Sequence, residues 1–216
     1  GRGKTAMTAQ VLLDLGRCHR LMGNFPEADR DYAESLDLAL SLSENGELRA
    51  KIIMEQANNA WFQARYQEAF SLQREVYDLA AREHLPLMQI VSLNTSGLIW
   101  WTLGDYPKAL NELEKALEKA RDLKVRKDEI ATTLNNLGLI HRESGRYEEA
   151  LRLFDEALEI DRDLKSRWAV AYDLRNKALT MLKMGRMDLS IPLFSEAYET
   201  ARSIGNRINE AKALLG

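Results

Sequence analysis

Between Ile130 and Leu158 the apolar positions fall three and four residues apart, the spacing that puts them on one face of a helix. Ile130, Leu134, Leu137 and His141 make one stripe, and Tyr147, Ala150, Leu151, Phe154 and Leu158 make a second. Gly145-Arg146 breaks the pattern between them. The predicted element is a pair of antiparallel helices joined by a tight turn. The pattern recurs in FPEADRDYAESL, YQEAFSLQREVY, YPKALNELEKAL, YEEALRLFDEAL and MDLSIPLFSEAY. Aligned on their first small residue (Ala28, Ala69, Ala109, Ala150, Ser190), these strings are 41, 40, 41 and 40 residues apart. Ser35, Val76, Ala116, Ala157 and Ala197 follow seven positions later. Phe25, Tyr66, Tyr106, Tyr147 and Met187 stand three before, and Gly16, Ala57, Gly97, Gly138 and Ala178 twelve before.

Such a period means repeats. The turn recurs as Gly23-Asn24, Ala64-Arg65, Gly104-Asp105 and Gly185-Arg186, and Pro26 and Pro107 sit one residue into a second helix, where a missing N–H costs nothing. Short loops separate the units: Ser43 to Asn45, around His84, Leu123-Lys124, Lys165-Ser166 and Ile204 to Asn206. Ala or Gly at the helix crossing lets the two backbones approach, and the aromatic that opens the second helix is expected to fill the wedge beside the turn. One hairpin cannot bury its apolar face alone, so the prediction is an all-α, right-handed solenoid of stacked hairpins.

Composition narrows the function classes. The 216 residues are 45% apolar and 29% charged, as in a soluble folded protein. With 30 Lys and Arg against 33 Asp and Glu, the net charge of −3 argues against nucleic-acid binding by this segment. No run approaches the roughly 20 apolar residues of a membrane helix, and the first residues lack the apolar core of a signal peptide. Cys18 stands alone, which removes an intrachain disulfide and a cysteine metal site and fits a reducing, cytoplasmic setting.

Little else suggests chemistry. Gly1-Arg2-Gly3-Lys4-Thr5 ends like a phosphate-binding loop but lacks its first glycine and preceding strand, so residues 1–5 are read as a tag remnant or frayed end. His19, Trp100 and His141 share one column, which predicts packed histidines. His84 stands in a loop without neighbours of its type. Cys18 is expected in the core. The many Asp and Glu residues follow solvated-face patterns such as ELEKALEKA. No nucleophile, base and acid come together, so neither enzyme activity nor a cofactor or metal is expected.

Leu137-Gly138, His141, Gly145, Tyr147, Ala150, Phe154 and Ala157 resemble the tetratricopeptide repeat (TPR), and the resemblance covers about residues 6–204. The usual unit has 34 residues. This longer one is similar to those of the Leu-Gly-Asn repeat protein that orients spindles and of the sensor arm of maltose-activator-like bacterial regulators. Gln56, Ser96 and Lys177 replace the family's Leu before the small residue, and the closing proline is missing. The resemblance divides the chain into repeats at about 6–44, 46–85, 87–124, 126–166 and 168–206. Residues 207–216 read as a truncated first helix of a sixth, which suggests a piece of a larger protein.

The resemblance also implies a site. In this family the first helices line a concave face, and their inward columns here carry Gln10, Leu13, Arg17, Arg20, Lys51, Met54, Asn58, Trp61, Val91, Asn94, Leu98, Trp101, Thr132, Asn135, Leu139, Arg142, Tyr172, Arg175, Leu179 and Leu182, with Asn176 at the margin. Asn58, Asn94, Asn135 and Asn176 are expected to hold a peptide backbone, since an amide both donates and accepts. Arg17, Arg142 and Arg175 would hold carboxylates, and Trp61 and Trp101 would take apolar side chains. Basic residues outnumber Asp14, Glu55 and Glu143 on this wall, favouring an acidic partner segment. The plainer alternative is that these asparagines cap or bridge neighbouring repeats. The partner is thus expected to be a protein or peptide. A ligand-sensing arm of a signal-transducing ATPase or transcription regulator, and a self-associating scaffold, are the competing readings.

Overall fold

A computed structural model describes residues 2–42, 45–123 and 126–204. All the regular structure there is α-helical: α1 (Arg2–Leu21), α2 (Phe25–Leu40), α3 (Gly46–Phe62), α4 (Tyr66–Arg82), α5 (Pro86–Thr102), α6 (Tyr106–Asp122), α7 (Lys127–Glu143), α8 (Tyr147–Asp163), α9 (Arg167–Lys183) and α10 (Met187–Ser203). The predicted beginning of a sixth repeat at 207–216 lies outside the described residues. The chain forms two compact units, Gly1–Leu103 and Gly104–Gly216, so that α1–α5 belong to unit 1 and α6–α10 to unit 2.

Within unit 1 each helix packs on the next, and the first helices α1, α3 and α5 also touch their neighbours in that series. Unit 2 repeats the scheme, with α7 against α9. Among the described residues the second helices α2 and α4, and likewise α8 and α10, make no such contact. Each unit therefore has a tighter layer of first helices, which forms its inner face, and a more open outer layer.

The sequence explains the local geometry. After the first helices the chain turns through the left-handed region, taken by Gly23, Gly104, Gly145 and Gly185 and, in the second repeat, by Ala64 at φ 58°. At the hairpin crossings a Cβ on Gly16 would stand 2.5 Å from the Tyr32 ring, and one on Gly138 would stand 2.5 Å from that of Phe154. Tyr32 and Phe154 are fully buried, and each stands four positions after the small residue of its second helix. They fill the wedge expected of the Phe25 and Tyr147 column, whose members are only half-buried, or 62% exposed at Met187. The reason is helix phase: the later position points back across the crossing, while the first residue of a helix stands at its rim. In the second repeat, also in unit 1, the corresponding plug is Gln73, which is fully buried with neither amide atom hydrogen-bonded.

The expectation for Cys18 is corrected. Cys18 is exposed, because it shares a solvent-exposed stripe of α1 with Val11, Asp14 and Leu15 rather than the stripe that carries buried Leu13. Residues 2–5 belong to the first turns of α1, so Gly3 contributes no loop to cradle a phosphate.

Candidate functional site

The inner face of unit 1 neutralises itself. Glu55, buried on α3, accepts from Arg17 Nε at 2.9 Å and from Arg20 Nη2 at 3.1 Å, both on α1. Arg17 also donates to Asp14 at 3.0 Å, and Asn58 reaches Glu55 at 3.5 Å. Burial opposes the charge on Arg17, but Glu55 and Asp14 more than offset it and raise its pKa above the ordinary guanidinium value. The Arg20 guanidinium lies 5.3 Å from the centre of the Phe62 ring, and Phe62 lies 5.8 Å from Trp61. Of the other predicted site residues here, Trp61 and Trp101 are half-buried and Asn94 is buried.

Unit 2 is balanced differently. Arg142, on the last turn of α7, is 8% exposed; its Nε donates to Glu143 at 3.1 Å, and its Nη1 is shut from solvent without an acceptor. Glu143 also accepts from Lys183 at 3.1 Å. Arg175, on α9, likewise has a buried Nε without an acceptor. Burial, opposed by Tyr172 and aided less strongly by the charge of Arg142, leaves the Arg175 pKa below its ordinary value. Asn176 is 1% exposed and its Nδ2 has no acceptor.

Asn135 spends its donors inside the protein. Its Nδ2 reaches Asp173 Oδ1 at 2.5 Å and the Ala131 carbonyl at 3.4 Å. This is the bridging role named above as the alternative to backbone clamping. Asp173, on α9, is fully buried and faces Asp161 on α8. Burial, with Asp161 adding to it and Asn135 opposing it, pushes the Asp173 pKa from the ordinary 3.8 up to about 8. Asp161 is also raised, again mainly by burial. Asp173 Oδ2 is buried without a hydrogen-bond partner.

This pair was not read from the sequence, yet the repeats contain its signal. Asp161 stands where the other repeats have Ala39, Ala80, Ala120 and Ala201, all fully buried. Asp173 stands where they have Val11, Ile52, Ser92 and Thr133. Two carboxylates thus replace small or uncharged residues in columns that the fold brings face to face.

The histidines have separate surroundings. His19 Nδ1 lies 2.6 Å from Asp31 Oδ2. His141 is half-buried, and burial lowers its pKa. Among the described residues no three His, Cys, Asp or Glu side chains are grouped to hold a metal ion, and no helix is long and apolar enough to cross a membrane.

The stacked hairpins, the left-handed turns and the small residues at the crossings now have a counterpart in known proteins. A family profile described as Tetratricopeptide repeat matches residues 7–82 and 89–163. The chain belongs to the tetratricopeptide repeat family. No curated protein matches it by sequence. Among solved structures it is similar to aspartyl phosphate phosphatase F from Bacillus subtilis, with TM-score 0.85 and 14% identity over 98% of this chain and 55% of that one. It is similar to the Rap conjugation gene regulator of plasmid pLS20 in complex with the Phr* peptide, with TM-score 0.78 and 20% identity over 94% of this chain and 55% of that one. It also resembles a signal transduction ATPase with numerous domains and a tetratricopeptide repeat sensor from Pyrococcus horikoshii, with TM-score 0.71 and 13% identity over 98% of this chain and 36% of that one. The chain therefore spans about half the length of the two Rap-type structures and about a third of the ATPase. At these identities the likeness is one of fold.

Proposed function

We propose that this chain is a protein-interaction module whose first helices bind an extended, acidic segment of a partner protein. The observation that carries this reading is the pair Arg142 and Arg175, two guanidinium groups with buried N–H donors that no carboxylate of the protein accepts. A ligand carboxylate would supply those acceptors, and charge-assisted bonds of this kind are the strong ones. In unit 2 Asn176 would hold the backbone, Asn135 being engaged with Asp173; in unit 1 Asn58 and Asn94 would do so, and Trp61 and Trp101 would take apolar side chains. Of the asparagines, Asn58 is the most open, and Asn176 keeps a free donor that a small side-chain shift would present. Arg17 contributes only if a ligand displaces Glu55 from it. The peptide-bound Rap structure is a relative in fold that takes a peptide, which supports the same use here.

The test is selection from a displayed library of random eight-residue peptides. Wild-type protein is expected to enrich acidic peptides, and Arg175→Ala to lose them while keeping its helical circular dichroism. Equal enrichment by both proteins overturns the assignment of Arg175. The competing reading, a ligand-sensing arm of a larger signalling ATPase, is favoured by the likeness to the Pyrococcus horikoshii sensor. It is compatible with the same inner face and would make the bound segment a signal rather than an anchor.

A further inference from the structure

A cavity of about 390 Å³ opens where the first turns of α7 and α9 meet the last turn of α8. Its wall includes Asp128, Asp161, Asn135, Asn136, Trp168 and Tyr172, with no Lys or Arg among the described residues that line it. We infer that this cavity is a second subsite of the same inner face, receiving the guanidinium or ammonium group of a basic side chain three to six residues from the carboxylate held by Arg142 and Arg175. This inference rests on the peptide-binding reading.

Four observations converge on it. First, the wall carries net negative charge: Asp161 lies in it, with Asp173 behind, and both depart from their repeat columns in the same direction. Second, Asn135 is 6% exposed, lines the cavity and has an Oδ1 with no donor, so a buried acceptor stands beside the carboxylates. Third, the Trp168 and Tyr172 rings stack at 5.8 Å and 6°, and Trp168 stays 55% exposed. A flat aromatic surface beside carboxylates suits a planar or alkylated cation. Fourth, Lys127 pairs with Asp163 at 3.8 Å and Lys177 with Asp155, away from the cavity, while Arg126 pairs with Asp128 of the wall and leaves Asp161 as the carboxylate open to an incoming cation. The acids are too dispersed to chelate a metal ion among the described residues, which leaves an organic cation.

The spacing follows from the helix. Asn135 precedes Arg142 by seven residues and Asp128 precedes it by fourteen. At 1.5 Å per residue the cation and carboxylate subsites lie about 10–20 Å apart. An extended chain covers that distance in about three to six residues. With an acid at one end and a base at the other, the face would accept a segment in one direction only.

The same peptide selection tests this with two more variants. Asp161→Ala with Asp173→Thr installs the residues that other repeats carry in those columns, so the double variant is expected to fold. Trp168→Ala alters an exposed ring. Wild type is expected to enrich peptides with an Arg or Lys three to six positions from an acid. Both variants should lose that basic preference at least about tenfold, the loss of about 1.4 kcal/mol, and keep the acidic one. Acidic peptides without a basic preference overturn this inference and leave the peptide-binding reading standing. A basic preference unchanged in both variants overturns its placement in this cavity. No enriched peptide at all overturns both.

Discussion

Arg20 and Arg142 occupy the same column of their repeats, as do Glu55 and Asn176 one repeat further on. In unit 1 the arginine meets the glutamate at 3.1 Å. In unit 2 the matching position is a neutral amide, and Arg142 keeps a donor without an acceptor. One side-chain difference in one column gives Arg20 a carboxylate on the following first helix, whereas Arg142 pairs only with Glu143 of its own helix; Arg20 Nε and Arg142 Nη1 are each buried without an acceptor. In a repeat protein the scaffold is shared, so such departures are where function is written.

The largest effect expected from this comparison concerns the two plugs. Phe154→Ala should cost about 3–5 kcal/mol, the usual loss for a buried aromatic. Gln73→Ala, at the same column of unit 1, should cost under about 1.5 kcal/mol, because it also removes two unsatisfied polar atoms. Urea denaturation measures both, and equal losses would mean that Gln73 is satisfied in solution.

Exchanging the charge column comes next. Glu55→Asn should destabilise by about 2 kcal/mol, since it strips two partly solvated arginines of their partner. Asn176→Glu should close unit 2 in the manner of unit 1 and weaken acidic-peptide binding at least about tenfold. Calorimetric titration with a selected peptide reads the second, and undiminished affinity would dissociate the unmet donors of Arg142 and Arg175 from binding.

The smallest effect is pH-dependent. The folded protein keeps a proton on Asp161 and Asp173 that the unfolded chain loses above about pH 4. Stability should therefore fall as pH rises from about 4 through the Asp173 pKa of about 8, and flatten above it. Asp173→Asn should flatten the profile and stabilise by about 1 kcal/mol at pH 9 while changing little at pH 4. Parallel profiles for both proteins would show that the pair is solvated.

The repeat period, the hairpins and the glycines at turns and crossings were legible because each is a local or periodic constraint. The plug was harder to place: choosing Phe154 over Tyr147 requires knowing how far round α8 the crossing lies. Cys18 was misplaced for the same reason, one helical step from the buried stripe. The asparagines were found by spacing, but spacing does not show that Asn135 would be consumed by Asp173 on the following first helix. The acidic pair was written in two columns belonging to different helices, and only the packing of α8 on α9 joins them. The unmet donors of Arg142 and Arg175 are a fact about absent partners, which no single column displays.

The contact between Gly138 and Phe154 also carries a clock. A ring pressed so closely against a backbone that no Cβ fits between them cannot turn over while the helices stay in place. Exposed side chains reorient in picoseconds to nanoseconds. Here each half-turn must wait until α7 and α8 part, so the exchange of the two edges of the Phe154 ring counts the breathing of the hairpin itself.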